Sequence, residues 1–166
     1  MKKVIFGVMV LAGFLTACGG EEKTAPTEEA TVPTEAAVEV PAVAEIVIEA
    51  NDQMKYNLDR IDVKEGQTVR LTLKNVGVLP KEAMGHNWVL VKPGTDKEAF
   101  ATAAIASKET DYIPASFEEN IIVHTSLTGG GEEVTIEFPA PAKGFYSFLC
   151  SFPGHYASMK GTFYVN

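Results

Sequence analysis

Three residues near the C-terminal end carry side chains that bind soft metals: Cys150, His155 and Met159, at the spacing C-x4-H-x3-M. They share one short loop between two apolar, aromatic runs, and Pro153-Gly154 inside this loop favours a tight turn. A thiolate, an imidazole and a thioether, completed by one more histidine, form the ligand set of a blue-copper electron-transfer site. His86 lies upstream and can complete it. The pattern therefore predicts one copper bound between distant parts of the chain.

The cysteine count supports this interpretation. The chain has two cysteines, Cys18 and Cys150. If Cys18 carries a lipid, Cys150 has no disulfide partner in an oxidising compartment, where an idle thiol is a liability. A lone cysteine is more often a core residue than a ligand. The histidine five residues on and the methionine nine residues on favour the ligand role for Cys150.

The first 17 residues have the features of a secretory signal. Lys2 and Lys3 precede an apolar run over 4–15 that is too short for a comfortable membrane span. The sequence Leu15-Thr-Ala-Cys18 resembles a bacterial lipobox, which implies cleavage before Cys18 and a lipid on that residue. We expect a protein on the periplasmic or cell-surface side of a membrane. Gly19, in place of aspartate, favours the outer membrane.

Residues 18–43 are predicted to be an acidic, disordered tether between the lipid and a folded domain. The segment is rich in glutamate, threonine, alanine and proline and has no aromatic residue, so it cannot bury enough apolar surface to repay ordering. The whole chain has a formal net charge of −8. Because no basic cluster is visible, nucleic acid is excluded as an expected partner.

Residues 44–166 are expected to form one all-β domain, a Greek-key sandwich or barrel of two sheets. Alternation is clearest in Thr68-Val-Arg-Leu-Thr-Leu-Lys74, where the apolar residues share one face. One short helical insertion is predicted over 96–107, with Thr95 as its N-cap. The predicted strand segments are 44–49, 55–63 (broken), 68–74, 88–91, 121–124, 133–138, 144–149 and 161–165.

Four segments of this domain resemble the azurins, blue type 1 copper proteins of the cupredoxin family: 51–54, 79–90, 122–127 and 150–161. The auracyanins share the His-Asn-Trp and Cys-to-Met segments and are also membrane-tethered. The resemblance implies a cupredoxin fold. It also implies a ligand set in which His86, Cys150 and His155 form a trigonal plane, Met159 is a long axial ligand and the Gly85 carbonyl approaches from the other side.

The resemblance also implies roles around the copper. Asn87 and the Phe152 backbone N–H are expected to tune the Cys150 sulfur, since hydrogen bonds beyond the ligands set orientation and potential. Electrons are expected to enter and leave through an apolar patch beside Gly85 and the edge of His155. This partner patch comprises Met54, Met84, Phe152 and Pro153.

Other positions receive structural interpretations. Trp88 is expected to be a core residue rather than a redox relay, and His124, which has no soft ligand near it in sequence, a surface residue that does not bind the metal. Azurins usually carry a disulfide near the start of the domain. Ala44 and Gln67 stand where its cysteines would be, so the stabilisation of about 2–4 kcal/mol that such a bond commonly gives is absent.

Three functions remain open on the sequence. The favoured one is a single-electron carrier that cycles between Cu(I) and Cu(II), with redox proteins such as cytochromes or oxidoreductases as partners. A copper chaperone or storage protein is the alternative. Such a protein is expected to release its metal and to favour exposed, methionine-rich ligands, and the chain has five methionines with one in the predicted site, which argues against it. An enzyme of the copper oxidase or nitrite reductase type needs a second copper site, which three histidines cannot build. We therefore expect no enzymatic activity.

Overall fold

The computed structural model describes residues 42–166. The predicted signal peptide, the lipidation at Cys18 and nearly all of the tether lie outside these residues. Nine strands and two α-helices make up the described part, with bounds as follows: β1 Val43–Asn51, β2 Lys55–Tyr56, β3 Arg60–Val63, β4 Thr68–Asn75, α1 Lys81–Met84, β5 Val89–Val91, α2 Lys97–Ala104, β6 Ile121–His124, β7 Glu133–Pro139, β8 Gly144–Leu149 and β9 Lys160–Val165. Two 3-10 segments, Lys108–Thr110 and Ala115–Asn120, lie between α2 and β6. Within 42–166 no helix has the length and apolar character needed to span a membrane.

The strands form two sheets. One has the order β2-β1-β4-β7 and the other the order β3-β9-β8-β5-β6. The pairs β1–β4 and β3–β9 are parallel, and the remaining neighbours are antiparallel. Parallel neighbours require chain crossovers, so neither sheet is a simple meander of consecutive hairpins. The predicted all-β two-sheet class is confirmed.

The core lies between the sheets, and the alternation seen in the sequence places it there. Val69, Leu71 and Leu73 of β4 are fully buried, while Arg70 points outward and pairs with glutamates on the two neighbouring strands, β1 and β7. Strands with one face in a core and one in water show this period of two.

Trp88 occupies the centre of this core. It is fully buried, and its ring lies 5.7 Å from the Phe148 ring, 6.0 Å from the Phe138 ring and 6.1 Å from the Phe163 ring, centroid to centroid. Aromatic pairs at such distances contribute beyond their buried area. The residue is therefore built into the packing between the sheets, immediately after the ligand segment 86–87.

Helix α2 covers the outer face of the second sheet. Phe100 is fully buried there and packs with Val89 and Val91 of β5 and Leu149 of β8. This coverage explains why β5 is buried on both faces and reads as a continuous apolar run. The ends of the two ligand-bearing segments are thus fixed from both sides of the sheet.

The predicted N-cap of this helix is wrong. Asp96, not Thr95, caps it: the Asp96 carboxylate accepts from the backbone N–H groups of Glu98 and Ala99 at 3.1 and 3.0 Å. Thr95 instead donates its hydroxyl to the Lys92 carbonyl at 2.7 Å and closes the preceding turn. Both residue types can cap, but the carboxylate also gains from the positive end of the helix dipole. The helix ends at Ala104, so residues 105–107, which the sequence predicted to be helical, lie in the connection that follows it.

Candidate metal centre

The backbone of His86 is fixed by a bridge to a distant loop. Short helix α1 ends at Met84, and His86 then exchanges two backbone hydrogen bonds with Thr128, at 2.9 and 2.8 Å. The Thr128 hydroxyl adds a third bond to the His86 carbonyl at 2.9 Å. Because both residues are buried, these bonds are protected from water and hold His86 in one place before β5 begins.

The loop that follows β8 is closed on itself. The Cys150 N–H donates to the Met159 carbonyl at 2.9 Å, and the Met159 N–H donates to the His155 carbonyl at 2.8 Å. The His155 N–H donates to the Phe152 carbonyl at 3.0 Å. Gly154 has φ +84°, a left-handed conformation that glycine adopts without strain, as its place in the predicted tight turn required. The loop thus brings three of the predicted ligands together by local geometry.

The two segments meet with their donor atoms facing one another. Cys150 Sγ lies 3.7 Å from His155 Nδ1 and 4.0 Å from His86 Nδ1, and the three donor atoms lie within 4.8 Å of one another. His86, Cys150 and Met159 are fully buried, and His155 is 2% exposed. A cluster of two imidazoles and a thiol, closed to water, has the size and chemistry of a site for one metal ion.

Burial sets the protonation of these donors. It lowers the pKa of His155 to about 4, with a further lowering from the neighbouring His86, and it also lowers the pKa of His86. Both imidazoles are therefore neutral at physiological pH and free to bind a metal. Burial raises the pKa of the Cys150 thiol to about 11, against the opposing effect of nearby hydrogen-bond donors. Metal binding must displace this proton, since the thiolate is the ligand form.

Gly85 lies where a side chain would have no room. A Cβ on this residue would stand 2.6 Å from the Lys81 carbonyl oxygen and 2.8 Å from Leu127 Cδ2. The residue is buried directly before His86. The requirement for glycine at this position is therefore steric, and the role of its carbonyl as a ligand stays a prediction.

Asn87 connects the two ligand segments. Its Oδ1 accepts from the Ser151 N–H at 2.9 Å, and its Nδ2 donates to Ser151 Oγ at 2.7 Å and to the Asp111 carbonyl at 2.9 Å. The backbone N–H groups of Asn87 and Phe152 both donate to the Cys150 sulfur, and they lower its pKa. In the structure, Asn87 and Phe152 lie beside the Cys150 sulfur, and their role in tuning its potential stays a prediction.

The remaining predicted residues fall at the surface or outside the described part. Met54 is 37% exposed, and Met84 and Pro153 are half-buried. His124 is exposed at the end of β6, where its Nδ1 lies 3.0 Å from the Thr125 carbonyl, and it is not in the donor cluster. Cys18 belongs to the part that the structure does not describe.

Several contributors to the site gave no signal in the sequence. Thr128 fixes His86, the Asp111 carbonyl accepts from Asn87, and Tyr56 donates a hydrogen bond to the Asn87 carbonyl. Asp111 and the next residue, Tyr112, both have positive φ, near 54° and 62°. These residues are brought to the site by strand pairing and loop conformation, and their spacing along the chain carries no ligand pattern.

Comparisons with known proteins agree with this geometry. Residues 42–166 match the family described as copper binding proteins, plastocyanin/azurin family. The chain is 43% identical over 127 residues to an azurin from Achromobacter denitrificans, covering 73% of this chain and 83% of that protein. It is 38% identical over 117 residues to outer membrane protein H.8 of Neisseria gonorrhoeae, covering 69% of this chain and 63% of that protein.

Among solved structures, auracyanin A, a "blue" copper protein from Chloroflexus aurantiacus, superposes with a TM-score of 0.67 at 35% identity, covering 75% of this chain and 99% of that one. The fold, the donor set and these similarities point the same way. The chain belongs to the plastocyanin/azurin family of copper-binding proteins and is a blue copper electron carrier, not an enzyme, whose type 1 site is formed by His86, Cys150, His155 and Met159.

Proposed function

We propose that this electron carrier works at the cell envelope, held there by a lipid on Cys18, and that it exchanges electrons with soluble or membrane-bound redox proteins through the partner patch. The copper supplies the one-electron chemistry. The protein supplies a rigid frame, exclusion of water and a surface on which a second redox centre can approach.

The exposure of the ligands is the observation that supports this docking surface. His155 is 2% exposed, whereas His86, Cys150 and Met159 have no exposed surface. The His155 ring packs against Phe152 with 4.6 Å between centroids, and Phe152 is itself 8% exposed. Among the four ligands, His155 is therefore the one through which the metal site comes nearest to solvent, together with the residues that cover it.

Apolar side chains are exposed near the ligand loop. The Met54 carbonyl accepts a hydrogen bond from the Ser158 hydroxyl at 2.9 Å, so the turn that carries Met54 is attached to the ligand loop. Val78 and Leu79, which precede α1, are 87% and 40% exposed and add apolar surface that the sequence interpretation did not include. Adjoining exposed apolar side chains are typical of interaction sites, and a weak, fast exchange complex needs only a small interface.

A charge placed in the patch tests the docking role. We expect Met54→Glu to slow electron self-exchange between oxidised and reduced copies of the protein by about tenfold or more, because two like charges then meet at the contact. The rate is measured from NMR line broadening in mixtures of the two redox states. The matched control is Val47→Glu, which adds the same charge at a β1 residue that is 49% exposed. Equal rates for both variants, with absorption unchanged, would contradict the patch.

The anchoring rests on the sequence Leu15-Thr-Ala-Cys18 and on the name of one relative, the outer membrane protein H.8. We expect the full chain, expressed in a Gram-negative host, to fractionate with membranes and to incorporate labelled palmitate. Cys18→Ser is expected to lose both properties, while Cys150→Ser, which alters the other cysteine, keeps them. A palmitate-free protein in the soluble fraction would refute the anchor and leave the copper chemistry untouched.

A further inference from the structure

Tyr56 reaches the metal centre from a strand of two residues. It lies in β2, pairs with Ala50 of β1, and turns its ring inward against Phe148, with 5.9 Å between centroids at a steep angle of 61°. Its hydroxyl donates a hydrogen bond to the carbonyl of Asn87, 31 residues away. Tyr56 is half-buried and packs against the core, and a phenol hydroxyl in such a place needs a polar partner.

The partner of this hydroxyl is the residue that connects the two halves of the copper site. Asn87 follows the ligand His86, donates its N–H to the Cys150 sulfur, and holds Ser151 through both side-chain atoms. The bond from Tyr56 satisfies the Asn87 carbonyl, which a buried backbone acceptor requires. With this bond, the main-chain carbonyl and N–H of Asn87, and its side chain, all have partners.

We propose that Tyr56 is a positioning residue for the copper site, whose hydroxyl holds Asn87 against the Cys150 sulfur and thereby raises the reduction potential. The reasoning is electrostatic. N–H and O–H dipoles that point toward the thiolate favour the reduced site, which carries one more negative charge, and they draw electron density from the sulfur. A loosened Asn87 weakens this donation and favours Cu(II).

The test compares two tyrosine-to-phenylalanine changes in the copper-loaded protein. Tyr56→Phe is expected to lower the reduction potential, to move the sulfur-to-copper absorption band to lower energy and to raise the Cu–S stretching frequency in resonance Raman spectra. Tyr146→Phe is the matched control, since its hydroxyl donates to the Ala142 carbonyl at 2.7 Å at an exposed site. It is expected to leave the potential and both spectra as they are.

Two more measurements separate positioning from a merely structural role. In the metal-free protein, the Asn87 amide is expected to exchange its hydrogen faster in Tyr56→Phe than in the parent. A 3-fluorotyrosine at position 56, whose hydroxyl is a stronger donor, is expected to shift the potential upward, opposite to phenylalanine. A Tyr56→Phe protein with lower stability but unchanged potential and spectra would overturn the proposal, and so would a rise in its potential.

Discussion

Replacing Asn87 by alanine is the perturbation that tests how the site is held together. The side chain makes buried bonds of 2.9 and 2.7 Å to Ser151 and a half-buried bond of 2.9 Å to the Asp111 carbonyl. Alanine leaves the Ser151 N–H and the Asp111 carbonyl without partners. A buried polar group left unsatisfied costs about 1–3 kcal/mol, so we expect a loss of about 3 kcal/mol in the free energy of unfolding.

The assay is denaturant unfolding of the metal-free protein, which separates this cost from the binding energy of the metal. For a domain of this size the loss corresponds to a fall in Tm of about 10 °C. The matched control is Asn57→Ala: its Oδ1 accepts from the Glu49 N–H at 2.8 Å, but at an exposed site where water can replace it. We expect that variant to lose less than about 1 kcal/mol. A loss for Asn87→Ala no larger than for the control would refute the reasoning.

Three further changes test other parts of the structure. Gly85→Ala brings a Cβ to within 2.6 Å of the Lys81 carbonyl oxygen. We expect the free energy of unfolding to fall by about 1–3 kcal/mol and the copper absorption band to shift. An unchanged band and an unchanged Tm would show that the backbone around Gly85 can move to make room for the side chain. Phe100→Ala empties a fully buried position under α2 and is expected to cost about 3–5 kcal/mol, while the absorption band keeps its position because this packing lies on the outer face of the sheet; a displaced band would contradict that separation. The pKa of Glu132 is lowered, first by the Gly129 N–H and then by Lys81, so its contribution to stability is present above the ordinary pKa of a glutamate and is lost as the pH falls through the lowered value; Glu132→Gln is expected to make acid unfolding less steep in that range, and identical acid-unfolding curves would exclude the contribution.

The sequence predicted those parts of the molecule that depend on local pattern. The alternation in 68–74 placed Val69, Leu71 and Leu73 in the core, and the spacing of Cys150, His155 and Met159 placed three ligands in one loop. Both patterns can be recognised in one sequence because each lies within about ten residues.

The rest depends on contacts between distant segments, which no local pattern carries. Tyr56 reads as an ordinary strand residue until the pairing of β2 with β1 brings it to Asn87. Thr128 meets His86 only through an isolated bridge. The cap of α2 was misassigned for a local reason, since Thr95 and Asp96 are both good caps and the choice depends on how the preceding turn is satisfied.

The most direct test of the central claim is the visible absorption of the protein loaded with one equivalent of Cu(II), beside the variant Cys150→Ala. We expect an intense blue band from the thiolate–copper bond that bleaches on adding a reductant, returns on reoxidation and is missing in the variant. A colourless protein that nonetheless binds one copper, or a band that persists in Cys150→Ala, would contradict a type 1 site at His86, Cys150, His155 and Met159.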